Sequence, residues 1–197
     1  MKKRNVIFLS GFKNTGKDTV SEMINEMSYD KYDIISFADA VKKEYYDSIG
    51  IKYDKGNEDR TFKELHRTGI ISYGESQKHL YGANYWIEKA LDDLLFDKES
   101  ERGIIVPDCR RTEEMFWYLD FLNSSMPKYQ FIRDNFIPHF FMVHREDADL
   151  EDKDFLTHIA IRVATELMYL PNRYIPNHAT LDKLKVQVEE IYACRLK

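Results

Sequence analysis

Val6-Ile7-Phe8-Leu9-Ser10-Gly11-Phe12-Lys13-Asn14-Thr15-Gly16-Lys17-Asp18-Thr19 is the stretch that decides how this chain folds. Val6 to Leu9 is a continuous apolar run, the pattern of a parallel strand buried on both faces. From Lys17 onward, Val20, Met23, Ile24 and Met27 fall on one stripe of a helix. Between strand and helix stand Gly11 and Gly16, with Lys17 directly after the second, in the spacing G-x-x-x-x-G-K. Glycine suits such a loop because backbone N–H groups must curl inward around an anion through dihedrals that a Cβ obstructs. The helix N-terminus adds donors and partial positive charge, and Lys17 adds a mobile point charge able to reach β- and γ-phosphates. In this strand-loop-helix setting the motif reads as a P-loop. Its nucleotide-binding residues are Gly11, Lys13, Asn14, Thr15, Gly16, Lys17, Asp18 and Thr19.

One position departs from the general pattern. The residue after the lysine is usually Ser or Thr, whose hydroxyl ligates magnesium, and here it is Asp18. A carboxylate is also a hard oxygen ligand and can hold magnesium directly or through water. It adds negative charge beside the phosphates, which Lys13 and Lys17 must offset.

Strand-length apolar runs alternate with helical periods along the rest of the chain, which predicts an α/β fold: a five-stranded parallel sheet with helices on both faces. The further strands are expected at Asp33–Phe37, Gly103–Val106, His139–Val143 and Arg173–Ile175. Helices are expected at Ala38–Tyr46, within Thr61–Gly82, after an Asn84 cap, after a Thr112 cap, at Phe155–Met168 and at Leu181–Ala193. Met115, Phe116, Leu119 and Leu122 read as the buried stripe of the helix after Thr112. No repeat or linker breaks the pattern, so residues 1–197 read as one domain.

With 29 basic and 34 acidic side chains the net charge is −5, which argues against nucleic acid as the main partner. Phosphate binding must therefore be local. Cys109 and Cys194 form neither a disulfide framework nor a metal-ligand spacing, as suits a reducing cytoplasm. The histidines show no zinc-ligand spacing either. Apolar runs such as Phe140 to Val143 are far too short to cross a membrane. Met1-Lys2-Lys3-Arg4 before Val6 mimics the start of a signal peptide, but the run meets Gly11 and Lys13 instead of a cleavage site.

A phosphorylated acceptor needs cations where strands end, because two anions must come within bonding distance. In a parallel sheet that place is the carboxyl edge. Lys42 lies about one turn into the helix after the second strand, Lys63 and Arg67 share a helix face, Arg110 and Arg111 follow the third strand, and Arg145 follows the fourth. Asp108 occupies the strand-tip position where a carboxylate orients magnesium or its waters. A phosphate oxygen is already ionised near neutral pH, so no strong general base is required.

These residues resemble the small P-loop kinases that include phage and viral deoxynucleoside monophosphate kinases and the animal-type phosphomevalonate kinase. The shared pieces are Gly11 to Thr19, Phe37-Ala38-Asp39 to Lys42, Phe62-Lys63-Glu64 to Arg67, Gly74-Glu75 to Lys78, Asp108-Cys109-Arg110-Arg111 to Glu114, and Asn177-His178. The resemblance implies magnesium-dependent transfer from ATP to a small phosphate acceptor, with Lys17, Asp18, Asp108, Arg110 and Arg111 as catalytic residues and Asp18 and Asp108 at the metal. It also implies that Lys42, Lys63, Arg67, Lys78, Arg110 and Arg111 surround the acceptor, that Asn177 contacts the adenine region, and that residues 145–168 form a lid whose Arg145 or Arg162 reaches the transferring group. Ala40 stands where the family has proline, and Lys78 where it has arginine. Phe37-Ala38-Asp39 before Lys42 favours a deoxynucleoside monophosphate as acceptor; mevalonate 5-phosphate is the alternative. A non-catalytic nucleotide-binding protein is the rival from another class. A GTPase is disfavoured because no N-K-x-D motif occurs. A homodimer is compatible with the sequence, which does not decide it.

Overall fold

The computed structural model describes residues 3–29, 31–54, 60–97, 100–145, 158, 162, 174–178 and 180–196. The chain divides into two compact units, Met1–Ile35 with Phe96–Lys197, and Ser36–Leu95. The first holds a five-stranded sheet in the order β2-β3-β1-β4-β5. Its strands are β1 (Arg4–Ser10), β2 (Tyr32–Ile34), β3 (Gly103–Val106), β4 (Phe136–His144) and β5 (Tyr174–Pro176). Every pairing is parallel, so all five carboxyl ends lie along one edge.

Strand β1 is central, and Val6 to Leu9 are wholly buried. Alternation sends its side chains to both faces. Ile7 and Leu9 join a core with Val20 and Ile24 of α1 (Lys17–Met27) and Leu184 and Val188 of α7 (Leu181–Ile191). Phe8 goes the other way, with ring contacts to Trp117 and Tyr118 of α5 (Thr112–Asn123). Helices on both faces follow from this one strand, as the continuous apolar run predicted.

Four local expectations need correction. The second strand stops at Ile34, and Phe37 is the first residue of α2 (Phe37–Ser48), because Ser36 takes the extended geometry of a helix cap. Arg111, not Thr112, occupies the cap of α5. Along α5 the buried residues are Met115, Trp117, Tyr118 and Phe121, while Phe116 and Leu122 are exposed. An aromatic-rich helix offers two overlapping stripes, and the one carrying Trp117 and Phe121 turns inward, where the Trp117 ring meets Phe8, Phe121 and Tyr129. Strand β4 begins at Phe136 and runs through Pro138, although proline ordinarily ends a strand. Here β5 pairs only with Met142 to His144, so at Pro138 one flank of β4 is unused by β5 and a missing N–H is tolerated.

Helix α6 (Pro127–Asn135) was not anticipated, though Pro127 at its first turn is a recognisable start signal. The expected helix at 155–168 falls outside the described residues apart from His158 and Arg162, both helical. The second unit consists of α2, α3 (Arg60–Tyr81) and α4 (Tyr85–Leu95). Gly74 of α3 lies close to Val41, and its carbonyl accepts a 3.0 Å hydrogen bond from Trp86 Nε1. Among the described residues no helix is long and apolar enough to cross a membrane.

Candidate active site

The loop after β1 is shaped by three residues with positive φ: Gly11 at 141°, Asn14 at 64° and Gly16 at 93°. Both glycines are also needed for space. A Cβ on Gly11 would run into the Val143 carbonyl oxygen, and one on Gly16 would lie 2.6 Å from Asn177 Nδ2. Inside the turn the buried Lys17 ammonium donates to the carbonyls of Gly11 (2.9 Å) and Phe12 (2.5 Å) and lies 3.2 Å from Thr15 Oγ1. Thr15 Oγ1 in turn donates to Phe12 O at 3.0 Å. The lysine thus lies across the loop, at the start of α1. Lys13, Asn14 and Asp18 are exposed.

Strand β5 braces the same loop. Asn177 Nδ2 donates to Thr15 O at 2.9 Å, and the Asn177 N–H donates to His144 O at 2.7 Å. The amide expected to read adenine is therefore engaged, through its nitrogen, in holding the loop. Arg145 reaches the loop as well, its guanidinium 3.5 Å from Asn14 O. Phe12, buried, stacks obliquely on His158 with ring centroids 4.5 Å apart. Arg162 is exposed, and the remainder of the expected lid from 146 to 168 lies outside the described residues.

The turn after β3 carries Asp108, Arg110 and Arg111, all partly buried. It is tied to β1 by Cys109 N–H donating to Leu9 O at 3.2 Å. Cys109 itself is fully buried, and burial pushes its thiol well up, so it stays protonated and unreactive. Glu114 reaches back from the first turn of α5, where one carboxylate oxygen accepts from Arg110 N–H (2.5 Å) and Arg111 N–H (2.8 Å). Burial of this inward-turned carboxyl, and next the charge on Asp108, push it up to about 8 against the opposing pull of those two N–H groups. Glu114 enters the sequence reading only as the last residue of the shared piece that begins at Asp108. Its spacing of three from the cap residue is the reach of a capping-box glutamate, the signal that could have placed it. Ser10 also escaped notice: its hydroxyl is fully buried at the tip of β1 with no hydrogen-bond partner among the described residues.

Lys42, Lys63, Arg67 and Lys78 belong to the other unit. There Lys42 sits 3.8 Å from Asp39 and 6.0 Å from the Tyr53 ring, Arg67 pairs with Glu64 at 3.1 Å, and Lys78 pairs with Glu75 at 2.7 Å. Each of these acids precedes its cation by three residues on the same helix. Lys42 and Lys78 keep about a fifth of their side-chain surface, whereas Arg67 keeps 56%. Lys63 lies on α3, and its side chain is outside the described residues.

The donor set fits magnesium. Asp18 and Asp108 offer hard oxygens from the start of α1 and the end of β3. Among the described residues no three His, Cys, Asp or Glu side chains converge as a metal cage. Magnesium characteristically takes one or two carboxylates and fills its octahedron with water and substrate phosphates.

Comparison with known proteins shows similarity to the phosphomevalonate kinase family over residues 9–124, more than half of the chain. The matched segment runs from the end of β1 to the end of α5 and so includes the P-loop and the Asp108 turn. A curated relative, phosphomevalonate kinase of Drosophila melanogaster, is 25% identical over 114 residues, covering 57% of this chain and 59% of that protein. The chain thus spans about three-fifths of the length of that relative. Among solved structures, TT1252 from Thermus thermophilus aligns over 98% of both chains at 12% identity with a TM-score of 0.44. None of these similarities carries the narrower phage-type deoxynucleotide identity.

Proposed function

Because the chain belongs to the phosphomevalonate kinase family, we propose that it transfers the γ-phosphoryl group of ATP to the phosphate of mevalonate 5-phosphate. The observation that carries this reading is the matched segment itself, which joins a P-loop curled around Lys17 to an arginine pair at the tip of the adjacent strand. An oxygen of the acceptor phosphate attacks the γ-phosphorus in line as the bond to the β–γ bridging oxygen breaks, giving ADP and a diphosphate. Lys17 exchanges its carbonyl partners for phosphate oxygens and offsets charge that develops as ADP leaves. The N–H groups of the loop cradle the donor. Arg110 and Arg111 hold the acceptor phosphate, so that two anions can meet. Bound magnesium would neutralise the β- and γ-oxygens, with Asp18 and Asp108 as its protein ligands.

Acceptance of a deoxynucleoside monophosphate stands second, favoured by Phe37-Ala38-Asp39 before Lys42. A coupled ADP-release assay separates the readings when mevalonate 5-phosphate, deoxynucleoside monophosphates and ribonucleoside monophosphates are supplied in turn. Turnover with mevalonate 5-phosphate supports the proposal, and turnover with nucleotides alone replaces it with the second reading. ATP binding without acceptor-dependent ADP release would make the chain a binding protein.

A further inference from the structure

Arg110 and Arg111 are adjacent in sequence, and adjacent side chains do not ordinarily converge on one ligand. Their backbone must be bent and held for both to serve one phosphate. The local structure supplies such a holder. The turn between β3 and α5 is anchored toward β1 by the Cys109 N–H on Leu9 O, and toward α5 by a single carboxylate oxygen of Glu114 that gathers the Arg110 and Arg111 N–H groups together. Arg111 is in extended geometry at the cap, with φ −101° and ψ 152°, and Glu114, third in the helix, reaches back to the cap N–H as the glutamate of a capping box. The same oxygen also takes the N–H of Arg110, one residue further out. It approaches Arg110 and Arg111 through their peptides and leaves their guanidinium groups to other partners.

We propose that Glu114 is the positioning residue of the acceptor site, fixing the Arg110–Arg111 backbone so that both guanidinium groups present to one phosphate. The inference rests on the acceptor role given above to the two arginines. It requires of Glu114 only that it accept hydrogen bonds, since its partners are backbone N–H groups. Glutamine at this position keeps a carbonyl oxygen of the same reach and has no titratable proton. Alanine lacks the oxygen as well. A capping residue that merely stabilised α5 would affect folding without favouring one substrate over the other.

The test uses the whole chain and compares wild type, Glu114→Ala and Glu114→Gln. Steady-state kinetics with ATP and mevalonate 5-phosphate should show the acceptor KM of Glu114→Ala raised about tenfold with the donor KM changed less than about twofold. Glu114→Gln should restore the acceptor KM to within about threefold of wild type. Equal rises in both KM values, an unchanged acceptor KM, or a Gln variant as impaired as Ala would each overturn the proposal. A second readout does not depend on the substrate. Modification of Arg110 and Arg111 by phenylglyoxal, mapped by mass spectrometry, should change in rate for both residues together in Glu114→Ala and return in Glu114→Gln. If wild type fails to turn over mevalonate 5-phosphate, the functional reading fails; the modification rates then decide the positioning role by themselves. Unaltered rates in Glu114→Ala would overturn it.

Discussion

The loop after β1 and the turn after β3 stand at the ends of paired strands, yet they are held differently. The first is made by backbone: its two glycines and Asn14 adopt positive φ, and carbonyls of its own residues receive Lys17. The second is made by one side chain, Glu114, gathering two peptide N–H groups. A backbone device tolerates little substitution at its glycines, because no L side chain fits the dihedrals or the space. A side-chain device tolerates any replacement that keeps the accepting atom. On the function proposed above, the donor half of the site is fixed by conformation and the acceptor half by the hydrogen bonds of one side chain.

The strongest way to break this contrast is to remove the side chain on which the backbone loop acts. Lys17→Ala should lower kcat about a thousandfold or more, since the group that follows the charge onto the leaving phosphate is lost. Circular dichroism should remain native, because Val6 to Leu9 and the core on either face do not depend on the ammonium. Turnover within about tenfold of wild type would mean that Lys17 does not touch the transferring group.

A smaller effect probes conformation alone. Gly16→Ala keeps every polar group but places a Cβ at φ 93°, 2.6 Å from Asn177 Nδ2. Left-handed geometry costs a non-glycine residue about 1–2 kcal/mol, so urea denaturation should show a loss of that order. The donor KM should rise about tenfold while the acceptor KM moves less. Adding Asn177→Ala sharpens the test when Asn177→Ala alone is the reference, since that change also removes the brace on Thr15 O: a donor KM still raised above the reference assigns the defect to the dihedral, and one equal to it assigns the defect to the clash.

These differences also explain what could be read in advance. The P-loop was legible because its glycines are there for backbone reasons, and backbone requirements show in the sequence as residue type and spacing. The parallel sheet was legible because β1 is apolar at every position from Val6 to Leu9 and must be covered twice. The α5 stripe was misread because Phe116 and Trp117 are both large and apolar, and only the neighbours Phe8 and Tyr129 decide between them. Asn177 was placed near the donor, but its hold on Thr15 depends on the end of β5 lying beside the loop. Glu114 was hidden for a different reason. Its capping-box spacing counts from Arg111, and with the cap expected at Thr112 the third helical position falls on Met115, so the signal points one residue too far along.

The inward turn of Glu114 gives the smallest expected effect and the one most specific to the acceptor half. Glu114 has an ordinary value of 4.5 and is pushed up to about 8 in the folded chain by burial and by Asp108. A folded state that holds its proton more tightly than the unfolded chain gains stability that is complete below 4.5 and is lost as pH rises through about 8. Glu114→Gln has no such proton. Urea denaturation of both proteins at pH 5, 6.5 and 8 should therefore show the variant gaining on wild type as pH rises, whatever their difference at pH 5. Taking the difference between the two proteins removes the titrations they share. A difference that stays constant across the range would place the carboxyl in water, and the two N–H groups it gathers would then be held no more firmly than any solvated helix start.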